Sequence, residues 1–110
     1  MHLVALIAAG LLANSLHLQS QWWLDEYDLS SIATGKGVTV AVIDTGIDSS
    51  HPDLDGVVIG GADFSGSGKP SGTSPVGPSG FHGTMVASLI AGQGRETGGV
   101  AGIAPDVKLL

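Results

Sequence analysis

The feature that most constrains this sequence is an unbroken run of β-branched and apolar residues from Val38 to Ile43, which stops at the acidic residue Asp44. A continuous apolar run of this length is typical of a strand buried on both faces of a parallel sheet. Open α/β sheets place their functional sites beyond the carboxyl ends of such strands. The run therefore predicts an α/β domain with Asp44 at its functional edge.

The remaining pattern supplies the other elements of such a domain. Apolar residues recur at helical spacing from a start near His82 to a stop at Gly92, which predicts a helix with a glycine C-cap. Residues 60–80 contain 7 Gly, 5 Ser and 3 Pro and predict a long flexible loop. Residues 21–27 predict a short helix whose aromatic side chains pack on the domain, and residues 107–110 predict a further strand. This order indicates an α/β fold with a mostly parallel sheet flanked by helices.

The first 20 residues have the character of an export signal. Residues 3–13 carry no charge and are too few to span a hydrocarbon core of roughly 30 Å, but they suit the apolar region of a signal peptide. A short buried helix is the alternative, because Met1 and His2 bring no Lys or Arg. We expect residues 1–20 to be a signal peptide, residues 21–110 to be the folded part, and the protein to be secreted or at the cell surface.

Charge and cysteine content exclude several classes of function. Four Lys and Arg stand against ten Asp and Glu, which gives a net charge of −6, and no basic cluster occurs. A nucleic-acid partner is therefore not expected. The sequence has no Cys, which excludes disulfides, thiolate nucleophiles and Cys-ligated zinc.

Two residues have the character of catalytic groups, although each has a plainer interpretation by itself. The carboxylate of Asp44 needs N–H donors or a cationic partner if it is buried, but it also fits an Asx turn or a helix cap. His82 opens the predicted helix and precedes Gly83, so another backbone segment can approach it closely. A solvent-exposed capping residue is the alternative for His82. We hypothesise that Asp44 and His82 form a pair.

The motifs around both residues resemble those of the subtilisin-like serine proteases, the subtilases. Residues 44–54 are similar to the family's aspartate motif with its His-Pro-Asp-Leu continuation, and residues 82–87 are similar to its histidine motif. Residues 100–105 resemble the small-residue stretch that precedes the strand binding the substrate backbone. The resemblance covers residues 21–110. It implies a serine endopeptidase acting on polypeptides, in which Asp44 orients His82 and His82 exchanges a proton with a serine nucleophile and the leaving amine.

Residues 21–24, together with Phe81, look most like the actinobacterial mycosin-type branch, which is linked to type VII secretion. Mycobacterial mycosins carry cysteines, whereas this chain has none, so their disulfide cannot form here. The same resemblance implies a membrane anchor only in a longer parent protein.

The nucleophile is the group that these 110 residues do not supply in the family's order. The resemblance places the serine and the oxyanion-hole asparagine far downstream of the histidine motif. The segment Gly72-Thr73-Ser74 is superficially similar to a nucleophile motif, but it precedes His82 and lies in the predicted loop, while Ser88 lies within the predicted helix. We therefore expect a partial subtilisin-like fold, truncated before the nucleophile and inactive alone. The alternative is an inactive remnant or a partner-binding module.

Two further interpretations concern a metal and a different protease class. Subtilases often bind calcium near the His-Pro-Asp-Leu signature, and Asp53 is the best candidate, although a turn in which Asp53 accepts backbone N–H groups is favoured. Calcium stays open for a full-length family member; for this chain we expect no metal and no cofactor. Asp44-Thr45-Gly46 also fits retroviral-type aspartic proteases, but Ile47 stands where they have a small residue.

Overall fold

The computed structural model describes residues 21–27, 34–68, 73–95 and 99–110. The elements in chain order are helix α1 (Trp22–Tyr27), strand β1 (Thr39–Val40), a 3-10 helix (Pro52–Leu54), helix α2 (Phe81–Ala91) and strand β2 (Lys108–Leu109). The predicted signal peptide at residues 1–20 lies outside the described residues. Within the described ranges, no helix is both long and apolar enough to cross a membrane.

The sheet is parallel, as predicted. Strand β1 pairs with β2 so that Thr39 lies opposite Lys108. On its other side, β2 contacts the extended segment 57–59, because the Leu109 amide donates to Val57 at 3.0 Å and the Leu109 carbonyl accepts from Ile59 at 2.9 Å. Strand β2 is thus the central strand, and the α/β class predicted from the sequence is confirmed.

The strand predicted at residues 38–43 is present as the shorter strand β1, and its predicted burial is wrong. The β1 ladder extends to Val42, whose amide donates to the Leu110 carbonyl at 2.8 Å. Val38 is 51% exposed and Ile43 is 97% exposed. The reason is that β1 lies at the edge of the described sheet, and no described element covers Ile43.

Helix α2 packs on the sheet through its smallest residues. The buried residues of α2 are Gly83, Ala87 and Ala91, which share one face at a spacing of four residues. Met85 and Leu89, which belong to the apolar pattern that predicts the helix, are about half exposed. Small side chains let the helix backbone lie close to the sheet. The core residues on which it packs are Ile47, Leu54, Val57, Val107 and Leu109.

The end of α2 confirms the predicted boundary but not the predicted reason for it. Gly92 follows the last helical residue, yet its φ is −56°, so it does not adopt the left-handed conformation of a glycine C-cap. A Cβ atom built at Gly92 would lie 2.2 Å from the carbonyl oxygen of Val100. Glycine is required here because segment 99–102 runs directly against the helix end.

Candidate active site

The aspartate and the histidine predicted from the sequence lie side by side, although 38 positions separate them. The Nδ1 atom of His82 is 2.9 Å from both carboxylate oxygens of Asp44. Asp44 follows the β1 ladder, and His82 lies in the first turn of α2. The Asp44 side chain is 15% exposed and the His82 side chain is 58% exposed. The Asp44 side chain is therefore less accessible than the imidazole, which faces solvent.

The environment of Asp44 favours its ionised form. The hydrogen bond from the His82 ring is the largest cause that holds the pKa of Asp44 below its usual value, and the backbone N–H of Thr45 adds to it. That N–H donates to Oδ1 at 2.7 Å. A carboxylate that stays ionised accepts the Nδ1–H of the imidazole, so Nε2 becomes the nitrogen that can take up a proton. This is the electronic arrangement of a general base.

The glycines of the two motifs allow this approach. Gly46 has a φ of +97°, and a Cβ atom there would lie 2.5 Å from the carbonyl oxygen of Ser74. A Cβ atom at Gly83 would lie 2.3 Å from the Gly46 carbonyl oxygen. The aspartate turn, residues 44–48, thus contacts α2 on one side and segment 73–76 on the other. Any larger residue at Gly83 would push the turn and the helix apart.

An apolar cavity of about 460 Å³ opens beside Asp44. Residues 41–47 form one wall and residues 60–65 form another. Phe64, on the second wall, is 95% exposed. The cavity lies at the carboxyl end of β1, which is where the sequence pattern places the functional edge of the sheet.

Neither Ser74 nor Ser88, the two serines weighed in the sequence analysis, lies where a nucleophile would be expected. Ser88 lies further along α2, and its hydroxyl donates to the Thr84 carbonyl at 2.9 Å. Ser74 lies in an irregular segment against the aspartate turn and does not begin a helix. Neither serine therefore stands at the start of a helix, which is where the family's nucleophile is expected.

Asp53, the calcium candidate, binds backbone amides instead. It is 1% exposed, and its two carboxylate oxygens accept hydrogen bonds from the amides of Arg95 at 2.7 Å and Val100 at 2.9 Å. N–H donors thus point at the oxygens that a calcium ion would need. In the described part of the chain, no group of three or more His, Asp or Glu side chains could hold a metal ion. The residues present at Asp53 do not fit a calcium site.

Sequence reasoning used Gln21 only as part of a family resemblance and missed its structural role. This residue is 6% exposed, its Nε2 donates to the Ala101 carbonyl at 2.9 Å, and its Oε1 accepts from the Ala101 amide at 3.0 Å. The neighbouring Trp22, which was expected to pack on the domain, is 62% exposed. The start of helix α1 is thus held by the Gln21 side-chain amide, which makes the same pair of backbone hydrogen bonds with Ala101 that a neighbouring strand would make. No local sequence signal distinguishes this glutamine from a solvated one.

Comparison with known proteins decides the family. The sequence profile of the Peptidase S8 subtilase family matches residues 35–110. The chain belongs to the subtilase family. Subtilisin E from Bacillus subtilis (strain 168) is 51% identical to this subtilase over 76 residues, which are 69% of this chain and 18% of subtilisin E.

Solved structures agree with that assignment. MycP1 from Mycobacterium smegmatis is 42% identical, with a TM-score of 0.62 over 80% of this subtilase and 21% of the MycP1 chain. MycP1 from the ESX-1 type VII secretion system is likewise 42% identical, with a TM-score of 0.64 over the same shares of the two chains. The subtilisin-like fold and the mycosin-type resemblance are both confirmed, and the family is one of serine endopeptidases. This subtilase spans about a fifth of the length of these relatives.

Proposed function

We propose that this subtilase segment supplies the aspartate and the histidine of an Asp-His-Ser triad that hydrolyses peptide bonds in polypeptides. Asp44 is the orienting carboxylate and His82 is the general base. The contact of Nδ1 with both carboxylate oxygens at 2.9 Å is the observation that supports these roles. The lowered pKa of Asp44 agrees with them, because an ionised carboxylate stabilises an imidazolium ion.

In the proposed mechanism, Nε2 of His82 takes the proton of a serine hydroxyl while the serine oxygen attacks the carbonyl carbon of the scissile bond. Asp44 stabilises the imidazolium ion that forms and keeps Nδ1 protonated. The imidazolium then donates its proton from Nε2 to the leaving amine as the C–N bond breaks, which leaves the acyl group bonded to the serine oxygen. Water next attacks this acyl carbon while Nε2 takes a proton from the water, and the same proton passes to the serine oxygen as the carboxylic acid product leaves. These are the roles of the general serine-protease triad, for which subtilisin is itself a standard example.

We propose that the serine and the oxyanion-hole donor lie outside these 110 residues. Ser88 already donates to the backbone of α2, and Ser74 does not begin a helix. The reaction as proposed requires no cofactor and no metal. The apolar segment at residues 3–13 supports export, so we place the protein outside the cytoplasm, secreted or at the cell surface.

A chimeric protease tests the catalytic roles directly. Residues 35–110 replace the matching segment of subtilisin E, and hydrolysis of a peptide nitroanilide is measured. The chimera should be active, and Asp44→Asn should lower its kcat about 10⁴-fold, the loss known for that substitution in serine-protease triads. Asp48→Asn is the matched control, because Asp48 is an exposed carboxylate of the same turn that accepts hydrogen bonds from Ser50.

The outcomes separate the two functional interpretations. Near-normal kcat in the Asp44→Asn chimera would refute the orienting role. A folded chimera without any activity would favour the alternative, an inactive or partner-binding module. The 110-residue chain alone should not react with a fluorophosphonate, since loss of the nucleophile costs subtilisin about 10⁶ in turnover. Labelling at Ser74 or Ser88 would overturn the placement of the serine outside this segment.

A further inference from the structure

We propose that Thr45 is a positioning residue whose hydroxyl group joins the aspartate turn to the first turn of α2 and so sets the distance between Asp44 and His82. The inference rests on the proposed function, because it concerns the pair assigned there to catalysis. It goes beyond that assignment by naming the group that brings the pair together.

The start of α2 has no cap of its own. Its N-cap residue, Gly80, offers no side chain, and the first turn of any helix leaves amide groups without helical partners. The Gly83 amide donates to the Thr45 hydroxyl oxygen at 3.0 Å, and the same hydroxyl donates to the Gly80 carbonyl at 3.1 Å. A hydroxyl group can accept and donate at once. Thr45 therefore performs, from the aspartate turn, the capping that an N-cap serine or threonine performs locally.

A second threonine makes the reciprocal contact. The Thr84 hydroxyl oxygen accepts a hydrogen bond from the Asp48 amide at 2.9 Å. Thr45 thus reaches from the turn to the helix, and Thr84 reaches from the helix to the turn. Between them, the Gly83 backbone lies against the Gly46 carbonyl. The junction is therefore held at both ends of the segment that carries Asp44.

The pair needs such a junction because its own attraction is weak. The His82 side chain is 58% exposed, so water competes for the imidazole and the contact by itself contributes little to stability. Asp44 and His82 are also 38 positions apart, so contacts between the aspartate turn and α2 have to set the distance between them. A catalytic constellation has to hold its geometry within about 0.5 Å. The hydroxyl contacts of Thr45 lie close enough to the pair to impose it.

The test uses the full 110-residue chain and two variants of one position. Thr45→Val keeps the shape of the side chain and removes the hydroxyl, whereas Thr45→Ser keeps the hydroxyl. The readouts are the carboxyl pKa of Asp44, by carbon-13 NMR, and hydrogen exchange of the Gly83 amide. In Thr45→Val, we expect the Asp44 pKa to rise toward its ordinary value, because the His82 hydrogen bond is the largest cause of its lowering and the Thr45 side chain is a smaller one. Gly83 exchange should accelerate about tenfold, and Thr45→Ser should restore both readouts.

In a folded Thr45→Val chain, unchanged Gly83 exchange would overturn the proposal even if the Asp44 pKa rises, because loss of the Thr45 hydroxyl raises that pKa directly. An unchanged Asp44 pKa would also overturn it. If Thr45→Val unfolds, Thr84→Val decides: Asp48 exchange should accelerate while Gly83 stays protected by Thr45. Unchanged exchange at Asp48, or lost protection at Gly83, would overturn the proposal. None of these readouts needs a serine or a substrate, so failure of the protease assignment and failure of the positioning role are distinguishable.

Discussion

Replacing Asp53 by asparagine should destabilise the chain strongly. The Asp53 carboxylate is buried, and each of its oxygens accepts one backbone hydrogen bond, from Arg95 at 2.7 Å and from Val100 at 2.9 Å. Asparagine has nearly the same shape, but it offers one acceptor oxygen and one NH₂ donor. One of the two backbone amides would then face a donor instead of an acceptor, inside the folded structure.

The size of the effect follows from those two bonds. A hydrogen bond to a charged group contributes about 1.5–3 kcal/mol, and an unsatisfied buried donor costs about 1–3 kcal/mol. Asparagine keeps one bond in a weaker, neutral form and loses the other, so the free energy of unfolding should fall by about 2–4 kcal/mol. Because a typical domain has about 5–15 kcal/mol in total, this loss is a large share. The two backbone positions that the carboxylate holds, Arg95 and Val100, should open first.

The assay is urea unfolding followed by the fluorescence of Trp22 and Trp23, with the chain otherwise unchanged. Asp55→Asn is the matched control: its side chain is 79% exposed and its contact with the Arg95 guanidinium is 3.4 Å long. The control should change the free energy of unfolding by less than about 0.5 kcal/mol. A change equally small in Asp53→Asn, with an unaltered denaturant slope, would refute the reasoning that Asp53 holds the backbone at Arg95 and Val100.

Three further predictions use the same unfolding assay. Gly83→Ala should lower the free energy of unfolding by about 1–3 kcal/mol through overpacking, because its Cβ would lie 2.3 Å from the Gly46 carbonyl oxygen. Gly60→Ala is the control and should be tolerated, because its Cβ would lie 3.4 Å from the end of the flexible Leu110 side chain. Equal effects of the two substitutions would contradict this. Gln21→Ala should cost about 1–3 kcal/mol by removing two backbone hydrogen bonds, and a smaller change would show that α1 is held otherwise. Because the pKa of Asp44 is lowered in the folded chain, the ionised carboxylate stabilises the fold. This contribution is fully present above the unfolded carboxyl pKa of about 3.9 and is lost as the pH falls through the folded pKa. Asp44→Asn should therefore weaken the dependence of stability on acid pH, and an unchanged acid profile would argue against the Asp44 contribution.

The residues of the candidate site could be predicted because their signals are local. Asp44 ends a strand-like run, and His82 begins a helix-like one, so each is marked by the pattern of its own segment. The roles of Asp53 and Gln21 could not be predicted in this way. Both side chains bind backbone amides or carbonyls of segments 42 to 80 positions away. Backbone groups are the same in every residue, so the sequence carries no mark of which segment will provide them.

By itself, the sequence determined where the strands and α2 lie and which two side chains form the candidate pair, because hydrophobic periodicity and motif spacing are properties of short segments. The tertiary structure decided every feature that depends on how closely two segments of the chain approach each other. It decided that α2 packs through Gly83, Ala87 and Ala91 rather than through its larger apolar residues. It also decided that a threonine hydroxyl from the aspartate turn caps the helix that carries His82. Close approach depends on two segments at once. At Gly83 it is possible because no Cβ atom stands between the helix and the Gly46 carbonyl.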